Sequence, residues 1–375
     1  MILLVSKNQN RDPVDVMRVR YWYQGIMTTL DCQNPYQVEK LLEPERFKRK
    51  HQRTEYPNKW GSYVAGEHTP QIRHVRKVEI KVPGSARELN HPLWAILKMK
   101  MEGKEVSSIE WMGRLDPTVQ TCVLQPQHDC FGAPRMLAPF SSRQGQKLLR
   151  RGDLDALAAL VLYWGEADHQ EDSEALEELG RMIYKLLLIV GLEFYRRNLS
   201  AELLVLFKAS ILDATPWVDG YFAVDAQTFE ISILLLHHLS YPADYPGKTP
   251  QWRKQVGRML LFLSGRFGDD IKFAMRPFCQ PAWEAGPPTR DDWAWWEQSR
   301  RFWAWGWHCL LNRTEGKFPP YEDCVLGICT HSLRNRPLRR RLGQYQMLTL
   351  PDECVIEKYG EWLGVAAGKV PKRRT

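Results

Sequence analysis

Tyr56-Pro57-Asn58-Lys59-Trp60-Gly61-Ser62-Tyr63-Val64-Ala65-Gly66-Glu67-His68-Thr69-Pro70-Gln71-Ile72-Arg73-His74-Val75-Arg76-Lys77-Val78-Glu79-Ile80-Lys81-Val82-Pro83-Gly84-Ser85 carries the strongest local folding signals of the opening part of the chain. Trp60, Tyr63 and Val64 lie three and four residues apart, a spacing that shares one face of a short helix. Gly66 follows and suits a left-handed helix end. Thr69-Pro70 then predicts a second helix, with Thr69 as its cap and Pro70 at the first helical position, where no backbone donor is needed. Ile72, Val75 and Val78 recur every third residue and form its expected buried side, while Arg73, Arg76 and Lys77 point elsewhere. Pro83-Gly84 stops the run.

Short helix, glycine turn, proline, second helix: this order resembles the second half of the Cro/C1-type helix-turn-helix family. The matching positions are Tyr63, Gly66, Pro70, Ile72, Val75 and Val78, and the resemblance spans residues 34–84, under a fifth of the chain. The chain departs from the family in the earlier helix pair. There a compact arrangement is expected, but the segment from Glu43-Pro44-Glu45 to Gln52-Arg53-Thr54 is long and highly charged. The resemblance implies a helical lobe that reads DNA. The alternative is a small helical lobe with a basic surface.

Upstream, residues 11–33 predict a helix with Val16, Val19, Tyr23 and Met27 on one stripe and Arg18 and Arg20 off it. Asn34-Pro35 starts another, capped by Asn34, with Val38 and Leu41-Leu42 inward. Lys48, Arg49, Lys50 and Arg53 then form the densest early basic cluster. Such a run either meets phosphate or is a solvated helix face.

The net charge of +8 is unevenly spread. Residues 1–100 hold 18 Lys and Arg against 10 Asp and Glu, residues 101–330 hold 24 against 30, and residues 331–375 hold 10 against 4. Two basic ends therefore flank an acidic middle. Basic surfaces attract polyanions through counterion release, which raises the expectation of a nucleic-acid partner. The eight cysteines have no framework of short spacings and read as reduced thiols of a cytoplasmic protein. Met1-Ile2-Leu3-Leu4-Val5-Ser6-Lys7 is too short an apolar run for a leader, and runs such as Leu186–Leu192 fall far below membrane-spanning length.

Downstream, His91-Pro92-Leu93-Trp94 opens a helix through Met101. Residues 107–115 and 118–124 read as short strands, and residues 125–140 as irregular. A domain boundary is expected at 141–150. Residues 151–275 read as five helices with short connections: one after Gly152-Asp153, one capped by Ser173 and running to Val190, one from Ser200, one over Ala226–Leu239 and one over Thr249–Phe267. Antiparallel neighbours in a bundle or array follow. Trp296, Arg300, Trp303 and Trp307 share a helical face and read as core or interface, because each ring buries a large area. Arg334, Arg336, Arg339, Arg340 and Arg341, then Lys369, Lys372, Arg373 and Arg374, make the end basic twice.

Glu79-Ile80-Lys81 matches the Glu-x-Lys part of a metal-dependent nuclease site, and Val78, Ile80 and Val82 alternate like a strand. No aspartate stands between Asp31 and Glu79 to complete it. Gly113-Arg114-Leu115-Asp116 resembles the catalytic aspartate motif of pseudouridine synthases, without that family's surrounding glycines. Cys122, His128 and Cys130, and His308, Cys309, Cys324, Cys329 and His331, are the two groupings with zinc-ligand chemistry; neither has paired Cys-x-x-Cys knuckles. Asp269-Asp270 suits a cap or turn. There is no Gly-rich phosphate loop and no nucleophile elbow.

The expectation is therefore a mainly α protein: a basic, helix-turn-helix-like module at 1–100, an irregular region with a small β segment over 101–150, a helical body at 151–330, and a basic end at 331–375. It would bind DNA, with RNA the other polyanion, as a regulator or as a component of a prokaryotic (antiviral) defence or mobile-element assembly. Contacts are expected from Lys48, Arg49, Lys50, Arg53, Lys59, Arg73, Arg76, Lys77, Arg339, Arg340 and Arg341, with no cofactor, no metal and no membrane. The helical body would hold a protein partner or a second copy. The alternatives are a non-catalytic scaffold subunit of a protein or ribonucleoprotein complex and a Mg-dependent nuclease.

Overall fold

The computed structural model describes residues 11–45, 59–104, 106–126, 135–217, 220–241, 251–280 and 302–310. Among these the chain is mainly α-helical, with two two-stranded sheets. It divides into two compact units: residues 1–138 with 193–211, and residues 139–192 with 212–375. The expected body at 151–330 is thus interrupted, because residues 193–211 belong to the first unit.

The first unit is built round α1 (Pro13–Thr29). Asp12 caps it, Oδ1 accepting from Val14 N at 2.8 Å and Asp15 N at 3.2 Å, with Pro13 in the first turn. Its buried residues include Val14, Val19, Tyr21, Trp22, Tyr23 and Ile26. They face several directions, so α1 is a core helix and not a one-sided surface helix. Around it lie α2 (Pro35–Leu42), α3 (Lys59–Val64), α4 (Ile72–Lys81), α5 (Ser85–Leu89), α6 (Pro92–Met101) and α12 (Ser200–Phe207). Trp22, Trp60, Tyr63, Val75, Val78 and Val82 form one cluster with Val38 and Leu89. Rings of this size each remove roughly 150–250 Å² from water, about 4–6 kcal/mol apiece as an upper bound.

Asn34 caps α2 as expected, Oδ1 accepting from Gln37 N at 3.0 Å. Val38 is buried and Leu42 packs against the core as expected, whereas Leu41 is exposed and Glu39 joins the buried side. His91 opens α6 by accepting from Leu93 N. The two strands expected over 107–124 are helices, α7 (Ser108–Met112) and α8 (Pro117–Val123). Asp116 caps α8 by accepting from Thr118 N at 2.9 Å, a structural role for that carboxylate. Val119 and Val123, four apart, share the buried face; so short an apolar run does not by itself separate strand from helix. The small β segment follows as an antiparallel pair, β1 (Leu124–Pro126) and β2 (Arg135–Leu137), with Leu124 opposite Leu137.

In the second unit α9 (Ser142–Arg151), α10 (Leu154–His169), the first part of α11 (Ser173–Arg196), α13 (Ala226–Ser240), α14 (Trp252–Leu263) and α15 (Asp269–Ala274) form the helical body. Every residue of α10 from Asp155 to Trp164 is buried, which makes it the central element. Asp153 caps α10 and Asp225 caps α13. The carboxylate that caps α11 is Asp172, accepting from Ala175 N at 3.0 Å, in place of the expected Ser173; α11 also runs past Val190. The span 249–267 reduces to α14, and Asp269 and Asp270 form the first turn of α15. A two-residue antiparallel pair, β3 (Tyr221–Phe222) and β4 (Cys279–Gln280), lies beside the helices. Residues 302–310 form α16, where the Phe302 ring packs tilted against Phe273 at 4.9 Å, Trp303 against Phe278 at 4.7 Å, and Trp307 is fully buried. Trp307 is core, as its size predicts; Trp293, Trp295 and Trp296 lie outside the described residues. No helix among the described residues is long and apolar enough to cross a membrane.

Candidate nucleic-acid interface

The expected DNA-reading segment is α3, its turn, and α4. The turn begins as the sequence predicts: Gly66 is left-handed at φ +69°. Its N–H donates to Tyr63 O at 3.1 Å and Glu67 N–H donates to Ser62 O at 2.8 Å, the reciprocal pair of a Schellman ending. The helix after it begins later than expected. Thr69 Oγ1 accepts from Arg11 Nη2 at 2.6 Å and caps nothing; Gln71 occupies the cap position and Ile72 the first helical one. Residues 65–71 therefore connect α3 to α4, seven residues where a helix-turn-helix connection commonly has three or four.

The inner side of α4 carries His74, Val75 and Val78. His74 stacks on Tyr63 at 5.9 Å and meets Trp60 edgewise at 5.1 Å. Lys59 Nζ lies 3.0 Å from His74 Nδ1 and 3.0 Å from Glu43 Oε1, with Glu43 Oε1 3.4 Å from His74 Nδ1. An ammonium has only protons to offer, so Nδ1 is the acceptor in this contact. Lys59, expected at the nucleic-acid surface, is thus turned inward between α2 and α4.

The outer side of α4 differs in kind. With about 100° per residue, Ile72, Arg76, Ile80, Arg73 and Lys77 fall within an arc of about 140°, opposite Val75, Val78 and His74. All five are exposed. Arg73, Arg76 and Lys77 make no ion pair or hydrogen bond among the described residues, in contrast to several other basic residues of the same unit. Arg18 pairs with Asp15 at 2.8 Å, Arg20 with Glu202 at 2.8 Å, and Lys98 with Asp15. Lys81 Nζ donates to Leu41 O at 2.7 Å, at the C-terminus of α2, where a cation is favoured. Arg197 Nη2 pairs with Glu88 at 2.8 Å, Nη1 donates to Tyr21 O at 2.8 Å, and the guanidinium lies 3.9 Å over the Tyr21 ring.

Ile72 belongs to the exposed side, not the buried one: it is 73% exposed, and Ile80 is 82% exposed. A repeat of three drifts round a helix of 3.6 residues per turn, so Ile72, Val75 and Val78 do not stay on one side. The strand-like alternation of Val78, Ile80 and Val82 is likewise helical up to its cap, with Val78 and Val82 inward and Ile80 opposite. On that helix Glu79 and Lys81 diverge. Glu79 accepts from Ala86 N at 2.6 Å, Gly84 N at 2.7 Å and Ser85 Oγ at 3.1 Å. The N–H groups of Ala86 and Gly84 hold its carboxyl below the usual glutamate range. The spacing of four that separates Ile72 and Ile80 from Arg76 is the sequence signal that sets both on the side of that arginine and away from Val75 and Val78.

Lys48, Arg49, Lys50, Arg53, Arg339, Arg340 and Arg341 lie outside the described residues, as do His128, Cys130, Cys324, Cys329 and His331. Cys122 is half-buried and Cys309 buried. Among the described residues no three His, Cys, Asp or Glu side chains come together as a metal site. No protein-family model matches the chain, and no curated protein or solved structure matches it either.

Proposed function

We propose that this chain is a DNA-binding protein, acting as a regulator or as a component of a prokaryotic defence or mobile-element assembly. The observation that carries the proposal is the outer side of α4. Arg73, Arg76 and Lys77 stand exposed and uncommitted, while Arg18, Arg20, Lys59, Lys81, Lys98 and Arg197 of the same unit are held by internal partners. Three like charges within little more than one turn of helix repel one another, and a phosphate backbone relieves that repulsion while releasing its counterions. The inner valines and His74 anchor the helix, so the cations are presented on a supported element.

The test is duplex binding by the wild type and an Arg73→Ala/Arg76→Ala/Lys77→Ala variant at two salt concentrations. Each phosphate contact contributes about 0.9 to the slope of log K against log salt, so the variant should bind at least tenfold more weakly with a slope shallower by up to about 2.7. Equal affinity and equal slope would remove α4 from the interface.

A further inference from the structure

We propose that α4 reads thymine: Ile72 and Ile80 contact the C5 methyl groups of thymines in the major groove, so that the polyanion is B-form DNA and not RNA. This rests on the proposal that α4 meets nucleic acid and goes beyond it by naming the groups read. Ile72 and Ile80, at 73% and 82% exposure the most exposed large apolar side chains among the described residues, both stand inside the cationic arc. An occupant matched to this face offers negative charge to Arg73, Arg76 and Lys77 and an apolar surface to Ile72 and Ile80 at once. Phosphate satisfies the first demand. On base edges the apolar group available to a helix in the major groove is the thymine methyl.

The spacing agrees. Ile72, Arg76 and Ile80 follow at i, i+4 and i+8, about 12 Å end to end along the helix axis, a span of roughly three to four base-pair steps. Arg76 lies between the two isoleucines, placed for the O6 and N7 acceptors of a guanine. Arg73 and Lys77 lie to one side of that stripe, towards a flanking backbone. An RNA duplex offers neither feature: its deep, narrow major groove excludes side chains, and uracil lacks the methyl.

The full chain is titrated with a mixed-sequence DNA duplex, the same duplex with every thymine replaced by deoxyuridine, and the corresponding RNA duplex. Loss of one buried methyl corresponds to about fourfold in affinity, so the deoxyuridine duplex should bind about fourfold more weakly for each methyl contacted, and the RNA duplex more weakly still. An Ile72→Ala/Ile80→Ala variant should bind thymine and deoxyuridine duplexes equally while keeping the wild-type salt slope. Salt-dependent binding by the wild type that is indifferent to the thymine methyl, or equal binding of RNA, would overturn the thymine assignment and leave DNA binding standing. Failure to bind any duplex would remove both. The deoxyuridine comparison uses the wild-type chain, so it holds even if the variant does not fold.

Discussion

Gly66 shows how much a single position can carry. Its left-handed φ of +69° excludes most side chains, and an added Cβ would lie 2.8 Å from both Cγ1 and the carbonyl oxygen of Val16. A backbone carbonyl inside α1 cannot step aside. Gly84 is also left-handed, at φ +91°, but has open space where a Cβ would go. Gly84→Ala should therefore lose only the conformational term, about 1 kcal/mol, whereas Gly66→Ala should lose about 2 kcal/mol or more. Denaturant midpoints at unchanged m would measure both. A smaller loss at Gly66 than at Gly84 would contradict the crowding against Val16. The residue type at 66 announced a helix end; its crowding did not, because Val16 lies far upstream in the chain.

The junction of α4 with α5 is governed by one carboxylate. Glu79, near the C-terminus of α4, reaches the first turn of α5 and accepts from the N–H groups of Ala86 and Gly84. These donors hold its pKa below the ordinary 4.5. A carboxylate with a depressed folded pKa stabilises fully above its unfolded value and ceases to do so as pH falls through the folded one. Glu79→Gln should thus melt below wild type at neutral pH, with the difference shrinking as pH drops below 4.5 and Glu79 itself takes up a proton. Melting curves across that range would check this; a constant difference would mean that charge plays no part. The same helix shows why Glu-x-Lys was misleading. Two residues apart on a helix, the side chains point nearly opposite ways, Glu79 to α5 and Lys81 to the end of α2.

At the scale of the molecule, the first unit is completed by residues far from the rest of it. Phe194 packs on Tyr21 at 4.7 Å, Arg197 binds Glu88 and Tyr21, and Glu202 pairs with Arg20 of α1. A fragment ending at Ala138 would expose the Tyr21 and Trp94 rings and leave Glu88 without its cation. Apolar ring surface returned to water forfeits about 25 cal/mol for each Å², a few kcal/mol over the two rings and a large part of a domain's net stability. The fragment of residues 1–138 should therefore show no cooperative thermal transition, although it contains α1 to α8. A sharp melt at the temperature of the full chain would show that residues 193–211 are dispensable.

Features set by neighbours a few residues apart were legible in the chain. Asn34 and Asp153 mark helix starts because a cap bonds two or three residues onward, and Gly66 marks a helix end for a similar reason. The mainly helical class followed from those local signals. Residues 107–124 misread as strands because runs of five to seven apolar-rich residues fit either period. Which cations remain available depended on the folded packing. Lys59 and Arg73 look alike in the chain, yet Lys59 meets Glu43 and Arg73 meets solvent. Charge is written locally, whereas its neutralisation depends on partners that folding brings from a distance; for the same reason the exposure of Ile72 and Ile80 was settled by what α4 packs against.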